Sequence, residues 1–355
     1  MDLTVVDPPV RHTAVPAPRA HWQRLLADAV RDPIELCRLV GIDPAAAGPT
    51  GGFPLLVPRG FVARMRHGDP QDPLLRQVLP AVAEGQPVPG FTADPLGEGQ
   101  AVAAPGLVRK YQGRALLLLT GGCAVNCRYC FRREFPYADH GAAGFPGAAL
   151  EVIAADPTLQ EVILSGGDPL LVDDQRLATV VEALDAIPHL RRLRIHTRLP
   201  VVLPERVTDG LLAVLGATRL TGVLVLHANH AAELDDSVAT AARRLAATGT
   251  LLLNQTVLLA GVNDRVATLA ALSERLLAIG VLPYYLHLLD RVRGAAHFEV
   301  GEARARDLLR GLQESLSGYA VPRLVREVPG ERSKLWIHPA PAPTVGAPGS
   351  PLTSG

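Results

Sequence analysis

The sequence has no surplus of charge: its 355 residues carry 35 Lys and Arg against 35 Asp and Glu. That balance excludes the basic surface expected of a nucleic-acid binder and leaves no acidic tail. No uninterrupted apolar run is long enough to cross a bilayer. Residues Met1 to Val10 lack the charged-then-apolar pattern of a signal peptide. Four cysteines, three of them within eight positions, do not form a disulfide framework, so the expected compartment is the cytoplasm. The scarcest residue for its chemistry is lysine. Lys110 and Lys334 are the only two among the 35 basic residues, and the rest are arginine. A codon bias toward arginine explains the trend. Arginine stays protonated, however, whereas a lysine amine can lose its proton and form a Schiff base. The two lysines therefore mark positions where arginine would not serve. Apolar residues make up 48% of the chain, enough for the core of one enzyme with additions.

Residues 1–20 are rich in proline and alanine and read as a flexible arm. A helical N-terminal region is expected over 21–108. It begins with helical apolar spacing from His21 to about Val40, and Asp72-Pro73 supplies a cap and first helical residue for a later piece. Gly85 to Gly106, rich in Gly and Pro, reads as a connecting loop. From Ala115 the rhythm changes. Apolar runs at Ala115–Leu119, Glu161–Leu164, Leu193–His196, Gly222–Leu226, Leu251–Gln255 and Leu282–Leu286 alternate with helical patterns. Six strands alternating with helices predict an α/β fold with a parallel sheet curled into a partial (β/α)6 barrel, over a core of 109–334. Catalytic residues then belong at the C-terminal ends of the strands. The segment 335–355, Pro- and Gly-rich from Pro339 onward, is expected to be a disordered tail.

Cys123, Cys127 and Cys130 lie in Thr120-Gly-Gly-Cys-Ala-Val-Asn-Cys-Arg-Tyr-Cys, directly after the first of these strands. Thiolates bind zinc or iron–sulfur clusters. Structural zinc needs a fourth ligand, which Cys37 or a histidine would have to supply. A four-iron cluster on three cysteines leaves one iron open for a small molecule. Cys37 itself reads as an inert core residue. The C-x3-C-x2-C spacing after a barrel's first strand resembles the radical S-adenosylmethionine superfamily. In that superfamily a glycine turn after the second strand, here Ser165-Gly166-Gly167-Asp168, grips the methionine amino group.

A closer resemblance is to the lysine 2,3-aminomutases, in particular the shorter branch that supplies (R)-β-lysine for modification of elongation factor P. It is carried by Arg109-Lys-Tyr-Gln-Gly-Arg114, Gly121 through Arg133, Asn254-Gln-Thr-Val-Leu-Leu259, Gly261-Val-Asn-Asp264, Tyr284-Tyr-Leu-His287 and Gly294-Ala-Ala-His-Phe298. The resemblance implies three cofactors: a [4Fe-4S] cluster on Cys123, Cys127 and Cys130, S-adenosyl-L-methionine, and pyridoxal 5′-phosphate. It implies that Lys334 carries the pyridoxal phosphate, so the family motif and the lysine-poor composition select the same residue. Tyr111 and Arg114 match cofactor-binding positions, Arg114 being suited to the phosphate. Lys110 stands where relatives carry another cation and is the alternative attachment point. His227 and Gln255 match residues near S-adenosylmethionine. Arg132 matches the arginine for the substrate carboxylate, and Asp290 and Glu327 match the carboxylates for the distal ammonium of lysine.

The implied reaction makes the chain an isomerase. An external electron donor such as flavodoxin or ferredoxin reduces the cluster, S-adenosylmethionine is cleaved to a carbon radical, and the amino group of lysine migrates from the α- to the β-carbon. Implied partners are lysine as substrate and, functionally, elongation factor P with its lysyl ligase, with neither nucleic acid nor membrane. The alternatives are a free-standing aminomutase for osmolytes or secondary metabolism, a mutase for another cationic amino acid, and a non-catalytic metal scaffold. Two departures stand out. The extra cysteines that give longer aminomutases an intersubunit zinc are lacking, and Glu134 replaces the histidine expected in the short branch.

Overall fold

A computed structural model of the chain describes residues 19–137 and 145–339. Its centre is one ten-stranded sheet in sequential order. The strands are β1 (Val102–Ala104), β2 (Leu107–Tyr111), β3 (Arg114–Thr120), β4 (Glu161–Gly166), β5 (Arg192–Thr197), β6 (Thr221–His227), β7 (Leu251–Val257), β8 (Leu282–His287), β9 (Arg323–Arg326) and β10 (Leu335–Trp336). From β3 to β9 every pairing is parallel, whereas β1–β2–β3 and β9–β10 are antiparallel. The sheet is open, a partial barrel built around the six expected strands β3 to β8.

Residue pattern explains the curl. Every residue of β4 is buried, as a strand covered on both faces requires. In β5, Leu193, Ile195 and Thr197 are buried on one face, while Arg194 and His196 turn to a central cavity. Helices Asp174–Asp185, Asp209–Ala217 and Asp236–Ala246 cover the outer face, started by side-chain caps from Asp173, Thr208 and Asp235. No helix among the described residues is long and apolar enough to cross a membrane.

Three expectations change. The stretch His21–Val40 is two helices, His21–Ala27 and Pro33–Leu39, because Pro33 bars Asp32 from helical backbone and Asp32 instead caps the second helix through the Ile34 amide. Val30, between them, bridges to Val57. The N-terminal region does not stay helical to residue 108: positions 102–111 form a hairpin that reverses at Gly106, where φ is 76°. The supposed tail is ordered as far as 339, since Leu335 and Trp336 pair with Arg326 and Val325 and Ile337 packs into the core. The arm (to residue 18) and the tail from residue 340 lie outside the described residues. Trp22, Phe61 and Leu74 share one apolar core with Leu117 and Ile195, so the N-terminal region is continuous with the barrel.

Candidate active site

A cavity of about 480 Å³ opens at the C-terminal ends of the parallel strands. All fifteen residues singled out from the sequence line it: Tyr111, Arg114, Cys123, Cys127, Cys130, Arg132, Ser165, Gly166, Gly167, Asp168, His227, Gln255, Asp290, Glu327 and Lys334. Lys110 lines it too, whereas Cys37 is buried in the helix Pro33–Leu39, away from it.

The cysteine loop leaves β3 and is clamped by the N-terminal region. Arg128, fully buried, donates from Nε and Nη2 to the two oxygens of Glu84 at 2.8 and 2.5 Å and from Nη1 to the Phe53 carbonyl at 2.7 Å. Asn126 donates its amide to Leu56 and its side chain to Pro54. Burial opposes charge on Glu84, but Arg128 and Arg133 hold its carboxyl below the usual range. This fork fixes the loop that presents three thiols. Burial, reinforced by the neighbouring thiols, pushes Cys123 up and Cys130 to about 11. Three crowded thiols cannot all ionise without a positive centre among them. Among the described residues no three ligating side chains are close enough for a single metal ion. Three thiols lining one cavity, with Cys37 buried in a separate helix, supply a donor for each of three irons and no fourth thiolate for a closed zinc site, so the donor set fits the four-iron group.

The glycine turn after β4 serves this loop directly. A Cβ on Gly166, whose φ is 125°, would stand 2.3 Å from the Thr120 carbonyl oxygen, and one on Gly167 2.0 Å from that of Gly122. The bare backbones approach closely enough for Gly167 to donate to Thr120 at 2.7 Å and Asp168 to Gly122 at 2.8 Å. Asp168, expected at the cofactor, has its carboxylate committed to the fold. It accepts from the amides of Leu170, Arg198 and Leu199 and from the Thr197 hydroxyl, tying β4 to β5.

The other end of the cavity holds a chain of opposite charges. Arg132 grips Glu98 with both arms, at 2.6 and 2.9 Å, and reaches Ser165 Oγ at 2.9 Å. Lys110 lies 3.7 Å from Glu98 and hydrogen-bonds one oxygen of Glu327, while Lys334 hydrogen-bonds the other. The two lysines of the chain thus meet on one carboxylate. Asp290, in the same cavity, is pushed up to about 7 by burial and by the charge of Glu327. Burial also opposes charge on Glu327, but Lys334 and Lys110 hold it well below the ordinary carboxylate range. Arg114 lies over the Tyr111 ring at 4.5 Å.

Several residues of the site escaped sequence reasoning. His196 and His287, at the ends of β5 and β8, each have a buried Nε2 without a partner. Burial keeps His196 neutral and depresses His287 to about 3, with Lys334 adding to both. The strand-end rule that selected His227 and Gln255, which face each other across β6 and β7, selects these histidines equally. Glu98 and Arg198 gave no comparable signal. Arg198 follows β5 and organises a buried network with Gln77, Tyr129, Asn229 and Glu233, to which His227 is joined through Tyr129 Oη at 2.8 Å.

Comparison with known proteins agrees with this geometry. Residues 110–190 match the family described as a 4Fe-4S single cluster domain. The chain is 51% identical over 322 residues to the L-lysine 2,3-aminomutase of Escherichia coli K12, covering 89% of this chain and 94% of that one. For the Haemophilus influenzae enzyme of the same name the identity is 46% over 319 residues, with 88% and 94% covered. The longer L-lysine 2,3-aminomutase of Clostridium subterminale is 37% identical over 283 residues, covering 79% of this chain and 67% of that one. A solved structure titled "Native anSMEcpe with bound AdoMet and Kp18Cys peptide" aligns with a TM-score of 0.42 at 12% identity, over 56% of this chain and 58% of that one. With half its residues shared over nearly the full length of a curated relative, and three cysteines set at the mouth of a partial barrel, this chain belongs to the lysine 2,3-aminomutase family of radical S-adenosylmethionine isomerases.

Proposed function

We propose that the cavity binds L-lysine beside pyridoxal phosphate joined to Lys334 and releases (R)-β-lysine for the modification of elongation factor P. The observation that carries this reading is the placement of Glu327 between the only two lysines, with Asp290 beside it in a buried site. Two carboxylates there suit a substrate with a distal cation, because such a cation would pair the charge that burial otherwise opposes on Asp290. Next along the same chain of charges, the Arg132 guanidinium has the geometry a substrate carboxylate would take on displacing Glu98.

When bound, the cluster and S-adenosylmethionine supply a carbon radical, and pyridoxal phosphate supplies a π-system that stabilises an unpaired electron on the substrate. The chain does the positioning. Cys123, Cys127 and Cys130 hold the cluster, the Ser165–Gly167 turn, His227 and Gln255 border S-adenosylmethionine, and Arg114 with Tyr111 takes the pyridoxal phosphate. Lys334 shares Glu327 with Lys110, so Lys110 would keep the carboxylate paired when Lys334 leaves it for the cofactor. A flavodoxin or ferredoxin would deliver the electron.

Length favours the short branch: the chain covers 94% of the Escherichia coli and Haemophilus influenzae enzymes but 67% of the clostridial one. Glu134, the departure from the expected histidine, pairs with Arg293 at 2.9 Å and links the cysteine loop to the segment after β8. Anaerobically reconstituted protein given α-15N-lysine, S-adenosylmethionine, pyridoxal phosphate and dithionite should form (R)-β-lysine on chiral chromatography. Absence of β-lysine, or equal turnover of glutamate, would refute the assignment. An (S) product would refute the link to elongation factor P.

A further inference from the structure

Among the hydrogen bonds described, Arg198 supplies the guanidinium that reaches a cysteine of the triplet. Its Nη1 donates to Cys127 Sγ at 2.7 Å and to Tyr129 Oη at 2.6 Å. Its Nη2 donates to Gln77 Oε1 at 2.7 Å and to Glu233 Oε2 at 2.9 Å. The group is fixed from behind as well: the Arg198 amide donates to Asp168, and Phe61 and Tyr129 lie under the guanidinium. Glu233 is fully buried and is held by the Asn229 and His230 amides and by Gln77 Nε2. Arg198 therefore cannot swing away from the sulfur. A structural salt bridge to Glu233 would need only one arm, yet the other arm is aimed at Cys127.

We propose that Arg198 is a positioning residue that tunes the reduction potential of the cluster through the Cys127 thiolate. The proposal rests on the reading that Cys123, Cys127 and Cys130 hold a four-iron cluster. The redox step is the gain of one electron by the cluster from a one-electron donor, the donor being oxidised by one electron, with no bond made or broken in the protein. Reduction adds negative charge that is shared with the cysteine sulfurs. A charged N–H donor on one of those sulfurs, in a site shielded from water, stabilises the reduced cluster more than the oxidised one. The effect is directional: Cys127 receives it, while the other two sulfurs receive no guanidinium bond among the hydrogen bonds described. Glu233, at the far arm, partly offsets the charge and should pull the potential back.

The test is an anaerobic redox titration of the reconstituted protein, followed by the electron paramagnetic resonance signal of the reduced cluster, without S-adenosylmethionine or substrate. Arg198→Met is expected to make reduction at least tenfold less favourable, a drop of about 59 mV for one electron. Because that variant strands the buried Glu233 carboxylate, the double variant R198M/E233Q, which leaves no unpaired charge, carries the same measurement if the single one does not fold. Glu233→Gln alone should shift the potential upward, a sign that loss of structure would not produce. Iron and sulfide content of the wild type tests the cluster reading separately: without four irons per chain, that reading fails first. With clusters fully loaded, a midpoint within twofold of wild type in the arginine variants would overturn the proposal, as would a downward shift in Glu233→Gln.

Discussion

Gly167→Ala should detach the glycine turn from the cysteine loop, and the structure gives the scale. The added Cβ would lie 2.0 Å from the Gly122 carbonyl oxygen, whereas ordinary contact starts near 3.4 Å, so the two backbones must part by about 1.4 Å. The hydrogen bonds from Gly167 to Thr120 at 2.7 Å and from Asp168 to Gly122 at 2.8 Å would then exceed hydrogen-bonding range. Two buried backbone pairs cost about 1–3 kcal/mol each when left unsatisfied, and the overpacking adds about 1–3 kcal/mol. The sum, roughly 3–9 kcal/mol, is a large part of the total stability of an ordinary protein, about 5–15 kcal/mol. Gly216→Ala is the control. It lies in the helix Asp209–Ala217 with no atom within 4 Å of its added Cβ, so helix propensity alone should stabilise it by up to about 1 kcal/mol. Denaturant unfolding gives both values, and iron content after reconstitution reports the loop. Gly167→Ala with wild-type stability and full iron would refute the close-approach argument.

Asp290 makes stability depend on pH. Between about pH 4 and 7 the folded protein holds a proton there that the unfolded chain has released, so stability falls as pH rises through that window and is level above it. The penalty at pH 8 is about 4 kcal/mol at most, and Asp290→Asn without cofactors should be more stable than wild type at pH 8, with the difference shrinking as pH falls and vanishing below about pH 4. Identical urea midpoints at pH 8 would contradict this. Cys127→Ala should lose cluster iron, whereas Cys37→Ser, in the buried helix Pro33–Leu39, should load fully. Iron and sulfide assays decide, and full loading of Cys127→Ala would remove that cysteine from the site.

The barrel was legible because β3 to β8 are apolar runs flanked by turn residues, a signal strong enough to locate six strands and their ends. The hairpin at 102–111 was not, since Gly and Pro around it read as loop and its pairing depends on β3 lying alongside. The helix break at Pro33 obeys the Asp-Pro rule that marked Asp72-Pro73, but the apolar spacing through it masked the signal. In the site, Lys334 was visible because so few lysines compete with it. Glu98 was invisible because it sits in a Gly- and Pro-rich loop and gains its meaning from Arg132, 34 residues on. Asp168 shows the reverse: its position was readable, but only the structure shows its carboxylate holding β5.

Lys334, proposed to carry pyridoxal phosphate, and Lys110 both hydrogen-bond Glu327. Borohydride reduction of the holoprotein, digestion and mass spectrometry test that attachment directly. Cofactor mass on the peptide containing Lys334, lost in Lys334→Arg while cluster iron is retained, is the predicted result; cofactor mass on Lys110, or on neither lysine, would contradict it.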